Sequence, residues 1–170
     1  DQILQKIFED TKTDPKILNA EIVGVVSKFK NDNIILMAEK LQLPFFDFPD
    51  LEDGERYQSI FKLVEADYAV FLNWPLERDC GLPEDKTINV SESPLDLKQK
   101  QISWKLTFGI CGPTIVEIPI IVRPNDKKTI LSKRILENQK YYLGLILNDI
   151  AQGRIFHLPQ NEVGFKDSNF

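Results

Sequence analysis

Two stretches constrain this chain most. Ile22-Val23-Gly24-Val25-Val26-Ser27 and Asp67-Tyr68-Ala69-Val70-Phe71-Leu72-Asn73 are apolar at consecutive positions and rich in β-branched or aromatic residues. A strand with one wet face alternates apolar and polar residues; an unbroken apolar run needs cover on both faces. Such strands belong to the interior of a parallel sheet. The segments around them supply the cover. Ile3, Leu4, Ile7 and Phe8 share one helical face, as do Ile34, Ile35, Ala38 and Leu41, and then Tyr57, Ile60, Phe61 and Val64. The order is helix, strand, helix, strand, helix, strand. This alternation predicts right-handed crossovers and an α/β fold with a mainly parallel sheet and helices on both faces.

Local signals punctuate the elements. Thr11 to Pro15 breaks the first helix, Asn31 or Asp32 can cap the second, and Leu43-Pro44 stops it. Phe45 to Phe48 reads as a short strand, and residues 50–55 as a polar turn. Residues 75–86 are loop-like. Thr87-Ile88-Asn89-Val90 is a strand followed by a polar stop, Ser91-Glu92-Ser93-Pro94. Ser103 to Ile110 and Thr114 to Val122, joined by Cys111-Gly112-Pro113, form a hairpin or two strands meeting at a bend. Pro119 confines the second of them to an edge or a non-hydrogen-bonded position. Asp126 is the expected N-cap of a long helix from Lys127 to Ala151, with Gly153 as its C-cap. The sheet is expected to contain 22–27, 45–48, 68–73 and 87–90. Residues 1–155 read as one α/β domain and 156–170 as an irregular C-terminal tail.

Charge and composition remove several functions. The chain has 21 Lys and Arg against 26 Asp and Glu, a formal charge of −5. Phosphate backbones are held mostly by surplus cations, so nucleic acid is not expected as a partner. Cys80 and Cys111 make no CxxC pair, and with a single histidine no zinc site is expected. No apolar run approaches the roughly 18 residues of a membrane span, so a soluble, cytoplasmic protein is expected. None of the glycines falls in a GxGxxG or GxxxxGKS spacing, which excludes the dinucleotide and P-loop fingerprints.

Ligands of open α/β sheets bind outside the carboxyl ends of the strands. That rule singles out Ser27, Asn73, Asn89, Val90 and Ser91. The Asn89 amide can donate to an oxygen that gains charge in acyl transfer; the plainer reading is a strand end bonded to its own backbone. His157 is the only histidine, with no nucleophile or carboxylate at a local spacing, and reads as an incidental surface residue. Glu77, Asp79, Glu84 and Asp85 read as a solvated, charged loop.

Taken in order, these segments resemble the phosphoribosylglycinamide formyltransferases and the wider formyltransferase domain. The resemblance runs through Leu18 to Ser27, Ala38 to Pro44, Ala66 to Val70, Thr87 to Ser91 with Ser93-Pro94-Leu95, Cys111-Gly112-Pro113, Ile118 to Val122, Arg134, and Ile150 to Ile155. It implies a Rossmann-like sheet and transfer of a formyl group from 10-formyltetrahydrofolate to glycinamide ribonucleotide, a step of purine biosynthesis. It places Asn89 and Ser91 at catalytic positions. Asn73, Cys111 and Gly112 are expected to line the same cleft as cofactor-binding residues.

The departures bear on activity. The usual first strand and its glycine- and serine-rich phosphate loop are lacking. The family reads Asn-x-His-Pro-Ser where this chain has Asn89-Val90-Ser91-Glu92-Ser93, so serine stands in place of the catalytic histidine. Ile110 stands where the family has an aspartate ahead of its Gly-Pro. A hydroxyl is a poor base and Ile110 cannot exchange a proton. The expectation is formyl transfer that is weak or altered, or an inactive metabolite- or protein-binding module of the same fold. With Ser91 and Ile110 in the catalytic positions, these residues leave an enzyme and a binding module both open. A sheet lacking its first strand exposes an edge, and a homodimer is expected to cover it.

Overall fold

The computed structural model describes residues 2–27, 32–48, 53–74 and 80–166. The elements are α1 (Gln2–Asp10), β1 (Val25–Ser27), α2 (Asp32–Lys40), β2 (Phe45–Asp47), α3 (Gly54–Leu63), β3 (Ala69–Leu72), a 3-10 turn (Glu84–Lys86), β4 (Thr87–Glu92), β5 (Gln101–Phe108), β6 (Thr114–Ile121), α4 (Lys128–Ala151), β7 (Ile155–Leu158) and β8 (Glu162–Phe165). Asn31, one of the two expected caps of α2, lies outside the described residues, as do Glu77, Asp79 and residues 50–52 of the expected turn.

Helix ends follow local chemistry. Arg56 N–H donates to Asp53 Oδ1 at 2.9 Å, which caps α3. Asp126 does not cap α4 as expected; Lys127 holds that place without a side-chain bond. The Asp126 carboxylate is taken instead by Arg123 N–H at 2.8 Å and by both terminal nitrogens of Arg134. Gly153 follows the α4 cap at φ +66°, a left-handed value that glycine adopts without a Cβ penalty.

The α/β class holds, but one mainly parallel sheet does not. The strands form three sheets: β1-β2, β3-β4-β5-β6 and β7-β8. Only β1–β2 and β3–β4 are parallel; β4–β5 and β5–β6 are antiparallel. The short link from Glu92 to Gln101 explains the reversal, because a parallel crossover takes about a dozen residues or more. β6 is an edge strand, where Pro119 costs no interior ladder bond. The expected strand 22–27 is reduced to Val25–Ser27. β1 and β3, expected in one sheet, are not paired to each other. Nor is the tail irregular, since β7 and β8 pair in register from Ile155↔Phe165 to Leu158↔Glu162.

Helices do cover both faces around β3 and β4. On one face Ile88, Val90, Trp104, Leu106 and Phe108 meet Leu131, Ile135, Leu143 and Ile150 of α4 in the main core. Trp104 is fully buried, and its indole N–H donates to Asn138 Oδ1 at 2.7 Å. On the other face Phe71, Phe48, Tyr57, Cys80 and Leu82 form a second cluster. The Phe48 and Tyr57 rings stack at 4.1 Å between centroids. Cys80 is thus a core residue. Among the described residues no helix is long and apolar enough to cross a membrane.

Candidate functional site

β4 carries the residues that the sequence singles out. Its side chains alternate: Ile88 and Val90 are buried toward α4, while Asn89 and Ser91 leave the opposite face and are half-buried. Asn89 is in register with Phe71 of β3 and Thr107 of β5. It was expected at the carboxyl end of its strand, but β4 continues to Glu92, because Ser91 and Glu92 pair with Lys105 and Trp104 of β5. Among the described residues, the Asn89 and Ser91 side chains have no hydrogen-bond partner.

The carboxyl ends of β3 and β4 meet at Asn73 and Glu92. Asn73 adopts φ +49°, and its N–H donates to Val90 O at 2.9 Å. Its side-chain amide donates to Glu92 Oε1 at 2.8 Å, and Gln139 Nε2 of α4 donates to the same oxygen at 3.0 Å. Gln139 is buried. Asn73 is thus engaged in a link between β3, β4 and α4.

Cys111 and Gly112 lie elsewhere. They sit in the β5–β6 turn, where Gly109 N–H donates to Thr87 O at 2.7 Å. Because β5 runs against β4, this turn lies at the amino end of β4, opposite Asn73. Four strand steps, roughly 13 Å, separate Thr87 from Ser91. The single cleft expected for Asn73, Asn89, Ser91 and Cys111 is therefore not formed. Cys111 is exposed. Gly112 has a reason of its own to be glycine: a Cβ there would overlap the Phe108 carbonyl oxygen and come within 2.9 Å of the Glu84 carboxylate.

A pair that sequence reasoning missed stands beside this turn. His157 Nε2 lies 2.7 Å from Glu84 Oε1. The imidazole meets the Phe108 ring edge-on, with centroids 5.5 Å apart at 89°. The histidine expected to be incidental is thus held by a carboxylate and an aromatic ring, and Glu84 is not merely a solvated loop charge. Nothing local in sequence ties the two residues; only the return of β7 brings them together.

The chemistry present is an amide and a hydroxyl on one face of β4, and an imidazole–carboxylate pair packed on Phe108, which leaves β5 on the other face. In register Phe108 pairs with Ile88, whereas Asn89 pairs with Thr107. Formyl transfer from 10-formyltetrahydrofolate requires an oxyanion donor and a proton-handling group around the same carbon. Among the described residues this donor set does not fit that requirement, since the Asn89 amide and the Glu84–His157 pair on Phe108 are on different sheet faces. Among the described residues, no group of three or more His, Cys, Asp or Glu side chains is placed to hold a metal ion.

No family model matches the chain, and no curated protein matches it in sequence. Its fold does match solved structures. Phosphoribosylglycinamide formyltransferase from Anaplasma phagocytophilum superposes with a TM-score of 0.78 at 18% identity, over 99% of this chain and 90% of that one. Glycinamide ribonucleotide transformylase 1 from Symbiobacterium toebii gives 0.81 at 16% identity, over 98% and 89%. A formyltetrahydrofolate deformylase from Pseudomonas putida KT2440 gives 0.79 at 15% identity, over 98% and 66%. The chain has the α/β fold of these formyltransferase and deformylase structures.

Proposed function

We propose that this chain is a formyltransferase-fold protein that binds a small metabolite, with formyl transfer weak or lost. The observation that carries the reading is the separation of Asn89 from the Glu84–His157 pair. Asn89 presents an amide with no side-chain partner among the described residues, which suits it to an acceptor oxygen on a ligand. No imidazole or carboxylate shares its sheet face in register: its cross-strand neighbours are Phe71 and Thr107. Ser91, two residues on, adds a hydroxyl and no base.

The first ligand to test is 10-formyltetrahydrofolate, the donor that the fold's transferases imply, with glycinamide ribonucleotide as acceptor. Calorimetric titration reads binding, and tetrahydrofolate release reads transfer. The expected result is binding that Asn89→Ala weakens several-fold, with little or no release. Binding unaffected by Asn89→Ala would remove the residue from the site, and rapid release would overturn the loss of transfer.

A further inference from the structure

Cover is uneven on the sheet face that carries Asn89. Over β3 the aromatic cluster buries Phe71. On β5, Thr107 is buried as well, with its hydroxyl donating to Gly109 O at 2.7 Å. Asn89 lies between these two in register and is half-buried. Two residues further along β4 the cover thins: Ser91 is half-buried, and its register partner Lys105 is exposed. Next to Lys105 on the same face stand Ser103 of β5 and Glu117 of β6.

Three side chains here can donate to one ligand. The Asn89 amide, the Ser91 hydroxyl and the Lys105 ammonium have no hydrogen-bond or ion-pair partner among the described residues. Glu117 is in register with Lys105 and would be its natural counter-ion, since opposite charges directly across two strands attract. That pair is not formed: Ser103 Oγ donates to the Glu117 carboxylate instead. Side chains directly opposite across antiparallel strands have Cβ atoms roughly 4.5–5.5 Å apart, and diagonal neighbours lie roughly 7–8 Å apart. Ser91 is opposite Lys105, and Asn89 is diagonal to it. The flexible four-carbon stem of the lysine therefore brings its ammonium within reach of a molecule that the other two contact.

We propose that Asn89, Ser91 and Lys105 form one recognition surface and that the metabolite it takes is an anion: Lys105 holds a phosphate or carboxylate oxygen, while Ser91 and Asn89 donate to acceptor oxygens of the same molecule. The proposal rests on the reading of Asn89 as a ligand contact and adds the ligand's charge to it. Phosphate and carboxylate share the chemistry required, a negative oxygen that accepts a charge-assisted hydrogen bond. A neutral ligand gains little from the ammonium, and a cationic one is repelled by it. Lys105 acts here on selection and not on proton transfer. An ammonium donates and has no acceptor lone pair, so it adds no base to Ser91.

The test follows the Asn89 side-chain amide and Lys105 by NMR while the chain is titrated, at low ionic strength, with ribose 5-phosphate, with glutamate and with uncharged ribose. At least one of the two anions is expected to shift both residues along a saturating curve, and ribose is expected not to. Whichever anion binds assigns the source, phosphate or carboxylate. Lys105→Met keeps an apolar stem and is expected to weaken that binding about fivefold or more; Lys105→Arg keeps the charge and is expected to weaken it less. Lys133→Met, on α4 across the sheet, removes the same net charge and is expected to leave binding unchanged. Ribose binding as tightly as ribose 5-phosphate, equal effects of the Lys105 and Lys133 substitutions, or no saturable shift with either anion would overturn the proposal. Failure of the underlying reading looks different. If Asn89→Ala weakens binding of 10-formyltetrahydrofolate and Lys105→Met does not, Asn89 stays a ligand contact and only the charge recognition falls. If Asn89→Ala leaves that binding unchanged, the underlying reading falls and the three-residue surface falls with it.

Discussion

His157 Nε2 and Glu84 Oε1 stand 2.7 Å apart across a sequence separation of 73 residues. The contact ties the C-terminal hairpin to the turn ahead of β4. Glu84 is 46% exposed, so the pair belongs with weak, partly screened interactions. A double-mutant cycle with Glu84→Gln and His157→Ala in urea is expected to give a coupling of about 0.5–1 kcal/mol. A coupling of zero would mean that the hairpin is held by its apolar contacts alone.

Gly144 lies where α4 passes α1. A Cβ there would overlap the carboxylate of Asp10, a buried group paired with Lys6. Gly144→Ala improves helix propensity yet must displace that carboxylate. Overpacking is expected to win, with a net loss of about 1–3 kcal/mol in chemical denaturation. A stabilised variant would show that α1 shifts freely.

The Asp126 carboxyl is held below its ordinary value, first by the hydrogen bond from Arg134, then by the Arg123 N–H; the same pairing raises Arg134. A carboxylate with a depressed folded pKa contributes stability that is present above its unfolded value of about 3.9 and lost as pH falls through the folded one. Asp126→Asn should therefore lower the melting temperature at neutral pH, and the difference from the parent should shrink as pH drops below about 4. A difference that does not change with pH would contradict the ion pair.

Trp104 is buried with its indole N–H on Asn138. Asn138→Ala leaves that donor without its partner, and a loss of about 1–3 kcal/mol is expected. A loss below about 0.5 kcal/mol would mean that water replaces the amide at little cost.

Strand positions were legible where the sequence pattern and the tertiary partners agree. Asp67 to Asn73 reads as a strand and gives β3, and the segments on either side of Cys111-Gly112-Pro113 give the β5–β6 hairpin. Ile22 to Ser27 has the same apolar pattern but yields only Val25–Ser27, because its partner β2 spans only Phe45–Asp47. Ser91 and Glu92 looked like a polar stop. They are strand residues because β5 continues the ladder, and Asn73 and Gln139 satisfy the Glu92 carboxylate. The candidate site was legible as residue types only. Which face of β4 carries Asn89, which end carries Cys111, and what His157 meets all depend on the antiparallel return of β5 and the β7 hairpin, which leave no local spacing in the sequence.

The central claim is that the oxyanion donor and the acid–base groups are not assembled around one carbon. Its most direct test is tetrahydrofolate release from 10-formyltetrahydrofolate and glycinamide ribonucleotide, measured for the chain and for the double variant Ser91→His, Ile110→Asp. Ile110 follows Phe108, the register partner of Ile88, in the turn at the amino end of β4, whereas Ser91 lies toward its other end, roughly 13 Å along the strand from Thr87, so the two substitutions are not expected to form a dyad there. The account predicts little or no release from either protein. Turnover by the parent within the ordinary enzymatic range of about 1–10³ s⁻¹, or its appearance in the double variant, would contradict it.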